Sequence, residues 1–311
     1  MKHSSPSKAG ALAASRLAQV SALAILAALA ACSKQEPATP TAAETTQPAA
    51  ADPLAAVLDG EWRSAEDRTR DQYRHPKEAL EFWGLAPGMT ILEVQPGAGW
   101  WSDILAPYAK ATGGKYYATA ADLENPEVSQ AAKQAREKFA ARFAANPDVY
   151  GTVELLNWGP KSAPLPENTF DFALVARSFH GWMGGGLVEK YLKDLYGALK
   201  PGGILAIEQH RANPGEQDPK AASGYVTEDY VIEQVQKAGF ELVEKSEINA
   251  NPQDTKDHPF GVWTLPPTKR TRPYSEGPDA HDPNFDRSKY DAIGESDRMT
   301  LKFRKPQGAG T

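Results

Sequence analysis

The sequence predicts an α/β fold, a mostly parallel seven-stranded sheet with helices on both faces. Three observations carry this. Short apolar runs bounded by turn residues alternate with helical patterns over residues 90–246. The first run, Thr90-Ile91-Leu92-Glu93-Val94, is almost wholly apolar, as strands buried on both faces are. A glycine-bearing turn, Gln95-Pro96-Gly97-Ala98-Gly99, joins that run directly to a helical stretch.

Taken in order, residues 54–73 read as a helical lead-in ending in charged residues. Arg74-His75-Pro76 then begins a helix that runs to Trp83. Proline suits a first helical position, because the N–H it lacks would be unpaired there anyway. Gly84 and Pro87-Gly88 close the helix before the first strand. Further strands are expected at 115–119, 152–156, 170–176, 203–208, 240–246 and 299–303, and helices at 101–108, 126–145, 187–199 and 227–238. Thr227 before Glu228-Asp229 has the form of an N-cap with an acidic first turn. The last strand has no helix before it, which favours antiparallel pairing. Residues 249–297 form a long, polar, proline-rich stretch, and a loop of that length is usually functional or disordered.

The amino terminus has its own pattern. Lys2, His3, Lys8 and Arg16 flank an apolar run over residues 17–31, short of the ~20 residues that span a bilayer. A basic start, a short apolar run and small residues at its end make a secretory signal. Leu29-Ala30-Ala31-Cys32 resembles the bacterial lipobox, which implies cleavage before Cys32 and a lipid on its thiol. Ser33 resembles the residue that sorts such lipoproteins to the outer membrane. Cys32 is the only cysteine, so the folded part has neither a disulfide framework nor a thiol. Residues 1–31 are thus expected to be a signal peptide and 32–53 a tether, with 54–311 the domain. The tether is rich in Pro, Ala, Thr and Gln and cannot bury a core. A formal charge of -6 with no basic block argues against nucleic acid as a partner. The expected partners are a membrane, through the lipid, and a small-molecule or lipid-like substrate in the envelope, facing the periplasm.

Glu93 through Gly99 resembles motif I of class I S-adenosylmethionine-dependent methyltransferases. Phe170-Asp171-Phe172-Ala173-Leu174-Val175 is similar to their fourth strand, and Leu199-Lys200-Pro201-Gly202-Gly203 to the turn before their fifth. The resemblance covers residues 80–239. It implies a Rossmann-like methyltransferase fold with S-adenosylmethionine as cofactor. Arg74-His75-Pro76, Phe179-His180-x-Trp182 and Leu301-Lys302-Phe303-Arg304-Lys305-Pro306 resemble, more narrowly, a bacterial group of exported predicted methyltransferases. Two departures stand out. Gln95 occupies the place of the first glycine. The acid expected at the end of the second strand, ~20 residues past the turn, is missing around Ala120, with Asp122 as the nearest candidate.

The cofactor-binding residues so expected are Glu93, Gln95, Gly97, Gly99, Trp100, Asp122 and Phe179. His180 and His210, placed after the fourth and fifth strands, are candidate general bases. Arg177, Trp182 and Arg211 are candidates for substrate, since guanidinium matches a carboxylate or phosphate. The plainer reading is that the histidines bond loop backbone, the arginines pair with nearby acids, and the aromatics pack. Asp279, His281, Asp282 and Asp286 match no known metal loop, and no metal is expected. No nucleophile elbow occurs, which disfavours a hydrolase. Two functions remain: methyl transfer to an unknown small or envelope-associated acceptor, or a ligand-binding or scaffold lipoprotein that retains the fold.

Overall fold

The computed structural model describes residues 52–277 and 279–308. The signal, Cys32 and all but the end of the expected tether lie outside the described residues. In chain order the elements are α1 (Pro53–Leu58), α2 (Ala65–Thr69), α3 (Asp71–Arg74), α4 (Pro76–Trp83), β1 (Thr90–Val94), α5 (Ser102–Thr112), β2 (Lys115–Ala120), α6 (Gln130–Ala144), α7 (Pro147–Tyr150), β3 (Val153–Asn157), β4 (Phe170–Ala176), α8 (Phe179–Gly185), α9 (Val188–Ala198), β5 (Leu199–His210), α10 (Glu228–Lys237), β6 (Glu241–Ser246), β7 (Pro259–Val262), α11 (Ser288–Ile293) and β8 (Arg298–Arg304).

Seven strands form one sheet in the order β3-β2-β1-β4-β5-β8-β6. The pairs from β3 to β5 are parallel, and β8 runs antiparallel between β5 and β6. This is the Rossmann-like methyltransferase fold. The order reverses at β1 and β4, and at such a switch point open α/β sheets bind ligands at the carboxyl ends of their strands.

Successive residues of a strand face opposite sides, so each central strand feeds two cores. Ile91, Phe172, Leu174 and Ala206 pack with α4 and α5 on one face. Leu92, Val94, Ala173, Val175 and Ile207 pack with α8, α9 and α10 on the other. All four of Ile91, Leu92, Phe172 and Leu174 have no solvent exposure, which explains why these strands read as unbroken apolar runs.

Several local expectations change. The lead-in is three short helices, not one, and the first begins at Pro53 with Asp52 as its N-cap. It breaks after Asp59-Gly60. The second crossover helix, α6, starts at Gln130 rather than residue 126, because the Ser129 hydroxyl caps it by accepting from Ala132 N at 3.1 Å. Thr227 does occupy the N-cap of α10, but its side chain makes no capping bond. Helix α8 was not expected. Its glycines, Gly181, Gly184 and Gly185, weaken helix propensity, and burial of Phe179, Trp182 and Met183 holds it in place.

Residues 249–297 differ most from expectation. The segment's described residues include regular structure. It carries β7 and α11 and buries Asn249, Asp254, His258, Thr264, Thr271, Glu295, Ser296 and Asp297. Polar contacts replace an apolar core there. Asp254 accepts from Tyr225 at 2.9 Å and from the Asp297 backbone at 2.8 Å, and meets His258 Nε2 at 2.8 Å.

Candidate active site

The site begins with the backbone after β1. Gln95, Gly97 and Gly99 all have positive φ, at 51°, 60° and 88°. Glycine reaches that region without cost, whereas Gln95 is held there by two bonds. Its N–H donates to Thr119 Oγ1 at 2.8 Å, and its Oε1 accepts from Trp182 Nε1 at 2.8 Å. A Cβ on Gly97 would meet no protein atom within 4 Å, while one on Gly99 would come within 3.1 Å of Phe143 Cζ. Gly97 therefore faces open space and Gly99 faces the packed helix α6. From α6, Arg142 donates to the Ala98 carbonyl and to Asp103.

Two cavities meet on this turn. One, about 400 Å³, lies over the ends of β1, β4 and β5, lined by Glu93, Trp100, Arg177, His180 and His210. The other, about 340 Å³, lies over the end of β2, lined by Thr119, Ala120, Ala121, Arg136, Phe139 and Trp158. Gln95, Pro96 and Gly97 line both. Each volume suits part of a small-molecule ligand.

Glu93 is 2% exposed and accepts from Ser102 Oγ at 2.8 Å and Tyr116 Oη at 2.6 Å. Burial pushes its carboxyl up to about 7, against the pull of those two hydroxyls. Trp100 donates its indole N–H to Asp67 O and lies under the Arg74 guanidinium, 4.5 Å from the ring centre.

His180 lies in the first turn of α8, just after β4, and His210 ends β5, with ring centres 5.8 Å apart. Gln209 orients His180. The amide is fixed by accepting from Phe179 N at 3.2 Å and donating to Gly224 O at 3.0 Å. Its Nε2 therefore points a donor at His180 Nδ1, 3.3 Å away. Neutral His180 then carries its proton on Nε2. His210 Nδ1 pairs with Ser296 Oγ at 2.6 Å. Burial holds both imidazoles below their ordinary range, His210 further, with Arg177 adding to the effect.

Beside them is a buried ionic cluster that the sequence did not reveal. Glu295 accepts from Arg70 Nε and Arg74 Nε at 2.8 Å each and from Arg298 Nη1 at 2.7 Å. Those three cations hold its carboxyl well below the usual range despite burial. Arg298 Nε also pairs with Glu208 at 2.9 Å, and Trp101 Nε1 donates to Glu208 at 3.3 Å. Arg70 reaches the first cavity, and Trp263, Pro266, Pro267 and Thr268 line it from the 249–297 segment.

Of the expected site residues, Glu93, Gln95, Gly97, Trp100, Arg177, His180 and His210 converge on the cavity. Five others do not line it, among them Gly99, which faces α6. Asp122 turns away and accepts from Glu124 N at 3.0 Å, so it does not replace the missing acid. Phe179 and Trp182 are core residues, 0% and 1% exposed, and Trp182 acts on the site only by fixing Gln95. Arg211 is bound to Asp297 at 2.9 Å and Glu247 at 2.7 Å, with Glu228 3.6 Å away. It is neutralised in place and points to a different surface. Among the described residues no cluster of His, Cys, Asp or Glu is arranged to hold a metal. His281 instead pairs with Thr271, and Asp282 with Arg272.

Residues 92–207, from β1 to β5, match a family model described as a methyltransferase domain. No curated protein matches the sequence. Among solved structures, the chain is similar to an S-adenosylmethionine-dependent methyltransferase from Aquifex aeolicus, 27% identical over 58% of this chain and 87% of that one, TM-score 0.44. It is also similar to the [4+2]-cyclase SpnF, at 20% identity over 81% and 85% with TM-score 0.49. The third is a Burkholderia thailandensis 1,6-didemethyltoxoflavin-N1-methyltransferase, 18% identical over 84% and 93%, TM-score 0.43, with S-adenosylhomocysteine bound.

Proposed function

We propose that this protein transfers a methyl group from S-adenosylmethionine to a small acceptor in the bacterial cell envelope. The observation that carries the reading is the pair of cavities joined at Gln95–Gly97, at the switch point of a sheet within the methyltransferase domain. The residues present fit the cofactor. Gly97 leaves room that a side chain would fill, and its backbone is turned for close approach. The cavity over β2 is largely apolar and suits a flat base, while Glu93, Gln95 and Trp100 face the polar remainder.

When bound, the cofactor supplies an electrophilic methyl group on a sulfonium. The chain's own residues then have three tasks. The Gln95–Gly97 turn and Trp100 hold and orient the ligand, and such positioning provides most of the rate in a direct transfer. Trp263 and Pro266–Thr268 line the cavity and displace water from that part of its wall. His180 presents a proton on Nε2 as a hydrogen-bond donor, and His210, anchored by Ser296, takes the proton that the acceptor loses.

Isothermal calorimetry on the full-length chain tests this reading. S-adenosylmethionine and S-adenosylhomocysteine should both bind, and no heat at millimolar ligand would sink the proposal. Tritiated methyl from the cofactor should enter an envelope extract, about a hundredfold more slowly with His210→Ala. The envelope address rests on Cys32. Mass spectrometry of detergent-extracted protein should find acyl chains on it, and a Cys32→Ser chain should leave the membrane fraction.

A further inference from the structure

The first cavity has an unbalanced cation in its wall. Arg177 follows β4 with φ 57°, a left-handed conformation that a non-glycine residue adopts at a cost. Its backbone N–H donates to Glu208 O at 2.7 Å, which fixes where the side chain starts. The side chain lines the cavity, and its Nε is shielded from solvent without a hydrogen-bond partner. Among the described residues no carboxylate lies within ion-pair distance of its guanidinium.

The nearby acids are committed elsewhere. Glu295 serves Arg70, Arg74 and Arg298. Glu208 serves Arg298 and Trp101. Glu93 is taken by two hydroxyls. Arg74 has both terminal nitrogens buried and unpartnered as well, with the Trp100 face as its nearest relief. The other arginine once expected to bind substrate, Arg211, is saturated by acids. A half-buried guanidinium with its Nε shielded from water and no counter-charge is costly, and an anionic ligand would supply one with bidentate geometry.

The cofactor makes the imbalance worse. Its sulfonium is a second positive charge brought to the cavity that Arg177 lines. We propose that the methyl acceptor carries a carboxylate or phosphate, that Arg177 binds this group, and that acceptor and cofactor bind synergistically because the anion screens the two cations from each other. This rests on the methyltransferase reading above. The acceptor's reacting atom then faces His180 and His210, which line the same cavity.

Calorimetry on the full-length chain tests it with benzoate and phenyl phosphate as anionic probes and benzamide as a neutral isostere. With S-adenosylmethionine bound, at least one anion should bind about tenfold more tightly than benzamide. Saturating anion should tighten S-adenosylmethionine by about threefold or more and uncharged S-adenosylhomocysteine by less. Arg177→Met should lose the preference for the anion while holding cofactor affinity within about threefold, and Arg177→Lys should keep part of the preference. Circular dichroism checks that each variant is folded. Equal binding of acid and amide, or binding of neither, overturns the proposal. So does a loss of cofactor affinity in Arg177→Met as large as the loss of anion affinity, which would assign Arg177 to the cofactor's own carboxylate. Failure of the wild-type chain to bind cofactor would instead sink the methyltransferase reading.

Discussion

The turn after β1 is built by consecutive residues, Glu93 to Gly99, while the arginine cluster beside it joins residues up to 225 positions apart. The turn works through backbone shape. Positive φ angles and an uncluttered Gly97 create room, and two polar side chains, Glu93 and Gln95, are fixed there from outside. The cluster works through charge. Glu295, on the approach to β8, gathers three arginines from α3, its N-terminal flank and β8 itself. One half of the site should therefore fail by steric change and the other by loss of a counter-ion.

The largest effect should come from the ionic half. Glu295→Gln leaves three arginines without their shared counter-charge, and removing one partner from a buried ionic group costs about 3–5 kcal/mol. Urea unfolding should record it, and a loss below about 1 kcal/mol would mean the cluster is not a structural unit.

Next is the pH response of Glu93. Its folded carboxyl titrates at about 7 against an ordinary 4.5, so the folded state binds the proton more tightly than the unfolded state. The contribution to stability is present below pH 4.5 and is lost as pH rises to about 7, worth about 3 kcal/mol. His180 and His210, held low, act with the opposite sign in part of that window. Comparison with Glu93→Gln isolates the carboxyl. The variant should gain on the wild type between pH 5 and 7.5, and a constant gap would show that Glu93 is ionised throughout.

Gly97→Ala should cost about 1–2 kcal/mol for the left-handed backbone, with no clash against the protein. Its Cβ enters ligand space, so cofactor affinity should fall more than stability does. Unchanged affinity in calorimetry would move the ligand off the turn. The smallest effect belongs to Trp182→Phe, which removes the bond to Gln95 Oε1. About 1 kcal/mol of stability should go with it, and a crystal structure should find the Gln95 side chain reoriented.

The same contrast governs what the sequence disclosed. All seven sheet strands were legible as short runs between helical patterns, and the glycine turn stood out because its parts are adjacent. Asp122 looked like the missing acid by position alone, but a local turn claims its carboxylate. Phe179 and Trp182 read as ligand contacts because they follow a strand end, yet α8 folds both inward. Arg177 and Arg211 were indistinguishable as sequence. Only the acids that fold back onto Arg211, and away from Arg177, separate them. The 249–297 segment was hardest to read, because its burial rests on hydrogen-bonded polar side chains, which have no periodic signature. Arg70, Arg298, Glu208 and Trp263 went unseen for the same reason.

The lateness of Glu295 in the chain sets a constraint in time. A growing chain completes the glycine turn by residue 99, but His210 waits for Ser296 and the arginines wait for Glu295 and β8. A partly made chain can hold the finished turn while His210, Ser296 and the arginine cluster are still apart. Closing contacts of such long range is slow relative to local folding. The arginine cluster is thus complete only once the last strand lies between β5 and β6, and a chain cut short before residue 295 would have the turn without the carboxylate that holds the cluster together.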